Sequence, residues 1–440
     1  MSAYAPTPLP HQERRSGLSR RNILIGGGAA IFLVAAGSAT WAAWDLWSHS
    51  ATPNSEPNIQ PGPKAFISGV PTLRLSGHKD IVRYTRWSPD GKQLATAGDD
   101  HALMAWDIAA SLKNSSKSLI TIKQSQQRWR LNDAINYYQI SWTSNGKKLM
   151  ALTKSAETRN VIYQFDLASK SPDPTIYHNS SILDSDFSAP IYWKISCAPK
   201  GNRFVTSVLS SESMVLWDLS DTQRPIKTFN TSGQSASLTA TILAMDWTPD
   251  GKRLAALNSH QQVLIFDDTG KLIQTLDLSD RLGQIKPGAQ DLLQERFALE
   301  WCPNNSNLLA VSNVDVIDIW DIQQKRQLRR LETDDPSAHQ SNETDKTSPF
   351  PWYPQVCGLT WSPNGRFIAA SFSRSTLIHV WDLQNPSPAK SKYGNELQTT
   401  LFGNPGHANT ILDIAWQPGE GRYIATASMD NSVIIWRVEA

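Results

Sequence analysis

Beyond about residue 70 the apolar residues fall in short β-branched or aromatic runs, such as Val433-Ile434-Ile435-Trp436, broken by turn residues. One turn phrase recurs. It reads Trp87-Ser-Pro-Asp-Gly-Lys92, Trp142-Thr-Ser-Asn-Gly-Lys147, Cys197-Ala-Pro-Lys-Gly201, Trp247-Thr-Pro-Asp-Gly-Lys252, Trp301-Cys-Pro-Asn304, Trp361-Ser-Pro-Asn-Gly-Arg366 and Trp416-Gln-Pro-Gly-Glu-Gly421. Proline pre-sets the first central dihedral, Asp or Asn follows, and Gly accepts positive φ. Such a phrase joins two antiparallel strands. A second landmark follows 19 to 23 residues later: Trp106-Asp107, Phe165-Asp166, Trp217-Asp218, Phe266-Asp267, Trp320-Asp321, Trp381-Asp382 and Trp436-Arg437. Successive landmarks are 49 (Trp217 to Phe266) to 61 (Trp320 to Trp381) residues apart. A four-stranded blade needs only about 40–45 residues, so the excess belongs in loops.

These units resemble the WD-repeat (WD40) family. One unit reads Gly77-His78, Trp87-Ser-Pro-Asp-Gly, Thr96, Asp100 and Trp106-Asp107, and the last reads Gly406-His407, Trp416, Thr426, Asp430 and Trp436. The resemblance implies an all-β, seven-bladed propeller over 71–440. It also implies hydrogen-bonded tetrads, His78–Thr96–Asp100–Trp106 and His407–Thr426–Asp430–Trp436. Blades 2 to 6 lack the Gly-His and the Asp, so apolar packing is expected to brace them. Thr72-Leu73-Arg74-Leu75 should supply the outer strand that the last blade lacks and close the ring. Outer strands are expected near 118–123, 174–178, 225–230, 271–277, 326–332 and 397–402. Long loops are then expected at 124–135, 179–190, 231–240, 279–294 and 333–354. They lie on the face opposite the turn phrases, where function can vary without disturbing the scaffold. The last of them begins acidic (Asp334, Asp335, Glu343, Asp345) and ends aromatic (Phe350, Trp352, Tyr353).

The inner strands carry a further signal. Two residues ahead of each phrase stand Thr85, Ile140, Ile195, Met245, Leu299, Leu359 and Ile414, a core column. Four and five residues ahead, both columns are mostly apolar: Arg83, Tyr138, Trp193, Leu243, Phe297, Cys357, Leu412, and Val82, Tyr137, Tyr192, Ile242, Arg296, Val356, Ile411. Simple alternation cannot bury both, so a β-bulge is expected there. The candidate binding face is then Arg83, Tyr138, Trp193, Leu243 and Phe297, with Trp352. Aromatic residues and Arg dominate binding energies. The competing reading is that these side chains are core.

The N-terminal part is of another kind. Residues 1–22 form a polar tail with Arg14, Arg15, Arg20 and Arg21. Residues 23–44 carry no charge and are long enough for one membrane-crossing helix, with Trp41, Trp44 and Trp47 at its far end. The one-sided arginines place the N-terminus in the cytoplasm and the propeller outside it, on a single-pass membrane anchor. Ser19-Arg20-Arg21-Asn22-Ile23-Leu24 resembles a bacterial twin-arginine export signal, with Ile23 where Phe is frequent. No A-x-A site follows, which favours an uncleaved anchor, with a removed signal peptide as the alternative. Residues 45–70 read as a flexible linker.

Composition narrows the function. A net charge of +2 over 440 residues gives no basic field for nucleic acid. Cys197, Cys302 and Cys357 are far apart, and no histidine pair has metal-ligand spacing. No G-x-S-x-G elbow or P-loop occurs. No cofactor, metal or catalytic site is expected. The expected function is a membrane-tethered, monomeric, non-catalytic scaffold that binds a protein or peptide on the upper propeller face. A hydrolase or lyase with its site in the central funnel is the alternative. A third reading is an envelope propeller of the periplasmic-translocation type, which shares the turn phrase but lacks the Gly-His and Trp-Asp pairing.

Overall fold

The computed structural model describes residues 68–113, 119–130, 137–153, 161–169, 173–180, 191–209, 213–229, 241–278, 297–313, 315–336, 355–391, 394–403 and 406–439. The chain divides into two units, Met1–Gln60 and Pro61–Ala440. The tail, the apolar run at 23–44, the 231–240 and 279–294 loops, and Trp352 lie outside the described residues. Among the described residues no helix is long and apolar enough to cross a membrane.

Each phrase joins the first two strands of a sheet, and seven sheets result. Blade 1 is Val82–Trp87, Gln93–Gly98, Ala102–Asp107 and Gln127–Arg130. Blades 2, 3 and 4 begin at Tyr137–Trp142, Tyr192–Cys197 and Ile242–Trp247 and end in outer strands Thr175–Tyr177, Lys227–Phe229 and Leu272–Asp277. Blade 5 runs from Leu299–Trp301 to Arg326–Glu332, and blade 6 from Val356–Trp361 to Thr400–Phe402. In blade 7, Ile411–Trp416, Tyr423–Ser428 and Val433–Glu439 are completed by Ser68–Leu75. That first strand pairs antiparallel with the last, Leu73 opposite Ile435 and Leu75 opposite Val433. It starts at Ser68, so residues 68–70 belong to the sheet and not to the linker.

Two placements differ from the sequence reading. The outer strand of blade 1 is Gln127–Arg130, inside the expected 124–135 loop. Ile120–Ile122 instead adds parallel to Leu73–Leu75 of blade 7. Glu396–Leu397 likewise adds parallel to Leu331–Glu332 of blade 5, so the outer strand of blade 6 starts at Thr400. In both cases a long connection between third and outer strands reaches back to the preceding blade. It covers a row of N–H and C=O groups that an open edge would leave unpaired. In blade 1 the connection is lengthened by a short helix, Ile108–Lys113, whose Ala110 N–H is capped by Asp107 at 2.8 Å.

The phrase has a mechanical role. Its Ser or Thr hydroxyl donates to the Asp or Asn two residues on: Ser88 to Asp90 (2.6 Å), Thr248 to Asp250 (2.7 Å) and Ser362 to Asn364 (2.7 Å). Gly251 takes φ 73°, left-handed backbone that suits glycine. The phrase tryptophan then staples one blade to the previous one. Trp87 Nε1 donates to the Ala415 carbonyl (3.1 Å), Trp142 to Arg86 (2.9 Å), Trp247 to Ser196 (3.2 Å), Trp301 to Asp246 (3.1 Å) and Trp361 to Glu300 (3.0 Å). Blade 3 has Cys197 at this position, and Trp416 donates instead to Gly421 of its own blade (2.8 Å). The second landmark's Asp caps its own turn, as Asp218 does by accepting the Ser220 N–H at 2.8 Å.

Candidate functional site

In blades 1 and 7 the sequence brings its tetrads together. His78 pairs through Nδ1 with Asp100 (2.7 Å) and through Nε2 with Thr96 Oγ1 (2.8 Å), which also accepts the Trp106 indole N–H (2.9 Å). His407, Asp430, Thr426 and Trp436 repeat this at 2.9, 2.8 and 2.8 Å. All eight side chains are packed inside their blades, apart from slight exposure at Asp430. Burial opposes ionisation of Asp430, yet hydrogen bonds with His407, the Ala408 N–H and Ser432 hold its carboxyl well below the usual carboxylate range. These histidines are braces, not exposed acid–base groups.

The expectation that only apolar packing braces blades 2 to 6 is corrected. Blade 3 keeps half a tetrad, Trp217 Nε1 donating to Thr206 at 3.0 Å. Blade 2 uses Tyr177, whose hydroxyl donates to Gln164 (2.9 Å). Blade 5 buries Asp318 under a two-pronged Arg330 contact, 2.6 Å on each prong. Blade 6 rebuilds the tetrad with its parts exchanged. His379 stands on the third strand and meets Thr333 (2.8 Å) and Ser375 (3.2 Å), while Ser375 donates to Asp335 (2.7 Å). The acid now comes from the segment entering the blade and the histidine from inside it. Asp335 is thus a buried brace; Asp334 beside it is exposed. Ser375 and His379 are fully buried, and the serine proton points to the carboxylate, so this Ser-His-Asp set has no access to a substrate.

The inner strands surround a channel of about 510 Å³. The bulge is present in six blades, for example between Val82 and Tyr84 and between Ile242 and Ala244. Among the described side chains it does not lift an exposed aromatic arc onto the rim. Trp193 is 7% exposed and Leu243 4%, both buried, and Arg83 is held by Asp99 at 2.5 and 2.7 Å. Tyr138 occupies the bulge position on the backbone of its strand. Leu243 and the half-buried Phe297 do border the channel, with Cys357 and Leu412. The resulting mouth is concave and carries an apolar arc over blades 4 to 7, not a flat patch. Trp193 belongs to the core, and Trp193→Ala should lower unfolding free energy by about 3–5 kcal/mol in urea denaturation. A loss under about 0.5 kcal/mol would place it on the surface.

Deeper in the channel the wall is polar. The residue just ahead of each phrase faces inward: Arg86, Ser141, Ser196, Asp246, Glu300, Thr360 and Ala415. Their side chains latch blades together. Asp246 accepts the Trp301 N–H (2.8 Å), Ser141 the Cys197 N–H (3.0 Å) and Thr360 the Trp416 N–H (3.1 Å). From three residues ahead of the phrases, Asp413 accepts the Thr85 N–H (2.9 Å) and pairs with Arg86 at 2.5 Å, while Gln139 accepts the Ile195 N–H (2.9 Å). These polar columns lie between the apolar ones on which the sequence expectations rest. Their signal is a polar residue between two apolar ones in five of the seven strands. Among the described residues no group of His, Cys, Asp and Glu could hold a metal ion.

Residues 69–107, 351–382 and 395–437 match the family described as WD domain, G-beta repeat. These segments cover the first three strands of blade 1 and blades 6 and 7, including both complete tetrads. The chain is 21% identical to the protein transport protein SEC31 of Candida glabrata over 61% of this chain and 19% of that protein. It is 22% identical to the WD repeat-containing protein WDS homolog of Arabidopsis thaliana over 82% of this chain and 56% of that one. To the nuclear distribution protein PAC1 of Arthroderma benhamiae it is 22% identical over 88% of this chain and 65% of that one. Each match therefore spans less than two thirds of the relative's own length.

Proposed function

We propose that this WD-repeat propeller is a non-catalytic scaffold whose upper channel mouth receives a protein or peptide partner. One observation carries the reading: Leu243, Phe297, Cys357 and Leu412 form an apolar arc over blades 4 to 7, flanked by Arg83 of blade 1, at the end of the channel away from the turn phrases. A concave apolar site with polar groups deeper inside suits a partner side chain or peptide turn that inserts into it. The proposal includes tethering by residues 23–44 to a membrane, with the N-terminus cytoplasmic and the propeller on the other side. It rests on the uncharged run and on the twin-arginine-like Arg20-Arg21 ahead of it. Protease added outside intact cells should then reach the propeller but not the tail.

The binding reading is tested by affinity capture from the source cells with full-length protein. Wild type should retain a defined set of partners. Leu243→Glu with Phe297→Ser should lose them at least tenfold, and Lys252→Ala, on the turn face, should keep them. Equal capture by all three proteins would contradict the reading.

A further inference from the structure

Asp246 and Glu300 sit at the same height on adjacent blades, each one residue ahead of its phrase tryptophan, and both border the channel. Asp413 has a cation in contact, since Arg86 reaches it at 2.5 Å. Among the described residues, Asp246 and Glu300 form no ion pair. Asp246 accepts the Trp301 N–H (2.8 Å), and Glu300 accepts from Thr360 Oγ1 at a long 3.5 Å. The other charged or titratable groups bordering this channel are Tyr84 and Arg86 on blade 1, Lys194 and Cys197 on blade 3, Cys357 on blade 6 and Asp413 on blade 7, with Arg83 at the rim. The acids thus occupy the side of the ring opposite the Arg86–Asp413 pair.

We propose that Asp246 and Glu300, carboxyls at one level on adjacent inner strands with no cation in contact among the described residues, do not both ionise freely, and that their ionisation makes the seam between blades 4 and 5 a pH-sensitive element of the channel. Leu243 and Phe297 stand three residues ahead of these two acids on the same strand segments, so the charge change acts directly beneath the mouth; this last link rests on the binding reading above.

Burial lifts Asp246 to about 7, against its hydrogen bonds from the Trp301 and Trp247 N–H groups and the field of Arg86. Burial, with the field of Asp246, lifts Glu300 well above its ordinary value. Two like charges on neighbouring strands of one channel wall oppose each other's ionisation. The sign follows from linkage: a carboxyl raised in the folded state binds its proton there at a pH where the unfolded chain has lost it. Stability from this pair is therefore fully present below the ordinary carboxylate range. It is lost progressively as pH rises through about 7. Asp100 and Asp430 act in the opposite sense, because both are lowered, and their contribution is lost only in acid.

The test is a carboxyl-carbon NMR titration of the full-length protein in detergent, with urea midpoints at pH 5 and pH 8. The Asp246 resonance should titrate near 7 and the Glu300 resonance above the ordinary carboxylate range. The wild-type urea midpoint should fall between pH 5 and pH 8, and Asp246→Asn with Glu300→Gln should remove most of that fall. Both carboxyls titrating near 4, or a midpoint that holds or rises between the two pH values, would overturn the proposal. Should the double variant not fold, the wild-type titration decides alone. Neither measurement needs a partner, so a mouth that binds nothing leaves this result independent.

Discussion

Leu73→Ala is expected to destabilise the propeller by about 3–5 kcal/mol, the upper part of the range for a fully buried leucine. Leu73 is 0% exposed and lies in one apolar cluster with Trp87, Trp106, Val433 and Ile435. Those residues belong to both ends of the ring. The strand that carries Leu73 is also sandwiched, with Val433–Glu439 on one edge and Ile120–Ile122 on the other. Loosening it therefore weakens the closing blade and the strap from blade 1 together. A single blade cannot bury its two faces alone, and a ring that opens exposes both. The loss should appear in the urea midpoint with little change in slope, as it does when stability alone changes. Leu119→Ala is the control: that side chain is 42% exposed, and its loss should stay within about 0.5 kcal/mol. Equal effects of the two substitutions would mean that the first strand is not part of the core.

The second large effect is expected in blade 5. Arg330→Ala should cost about 3–5 kcal/mol, because it leaves the Asp318 carboxylate buried without its cation. Asp318 is 1% exposed, and Arg330 holds both of its oxygens at 2.6 Å. Gln327 adds a 2.8 Å contact, too little to stand in for a guanidinium. The pair itself contributes less than this figure suggests, since both charges were taken out of water. Removing both, as Arg330→Met with Asp318→Leu, should therefore restore most of the stability. A double-mutant cycle from urea unfolding would measure the coupling. A double variant as unstable as the sum of the singles would mean that the two residues act independently.

The architecture was legible because a turn leaves a chemical signature. Proline, Asp or Asn, and Gly are favoured at fixed positions, and each of the seven turns keeps enough of them for the repeat to show even where the strands do not. Tetrads were legible in blades 1 and 7 because all four residues stood at matched spacings. In blade 6 the same chemistry was hidden. His379 and Asp335 exchange their places along the chain, and spacing cannot find a cluster whose members arrive from different elements. The Asp318–Arg330 brace was hidden for the same reason. The inner-strand bulge could be inferred from two neighbouring apolar columns that no simple alternation buries. Its outcome could not: whether Trp193 is exposed or buried depends on packing beyond its own strand, and the structure buries it. The parallel straps Ile120–Ile122 and Glu396–Leu397 gave no signal, since two or three residues on a neighbour's edge carry no periodicity.

The whole account depends on the ring being shut by its own first strand. Hydrogen exchange followed by mass spectrometry on the full chain measures this directly. Peptides covering 68–75 should exchange as slowly as those covering 433–439, and both should be released together as the ring unfolds cooperatively. Fast exchange at 68–75 beside a protected 433–439 would contradict closure, and with it the placement of the channel mouth.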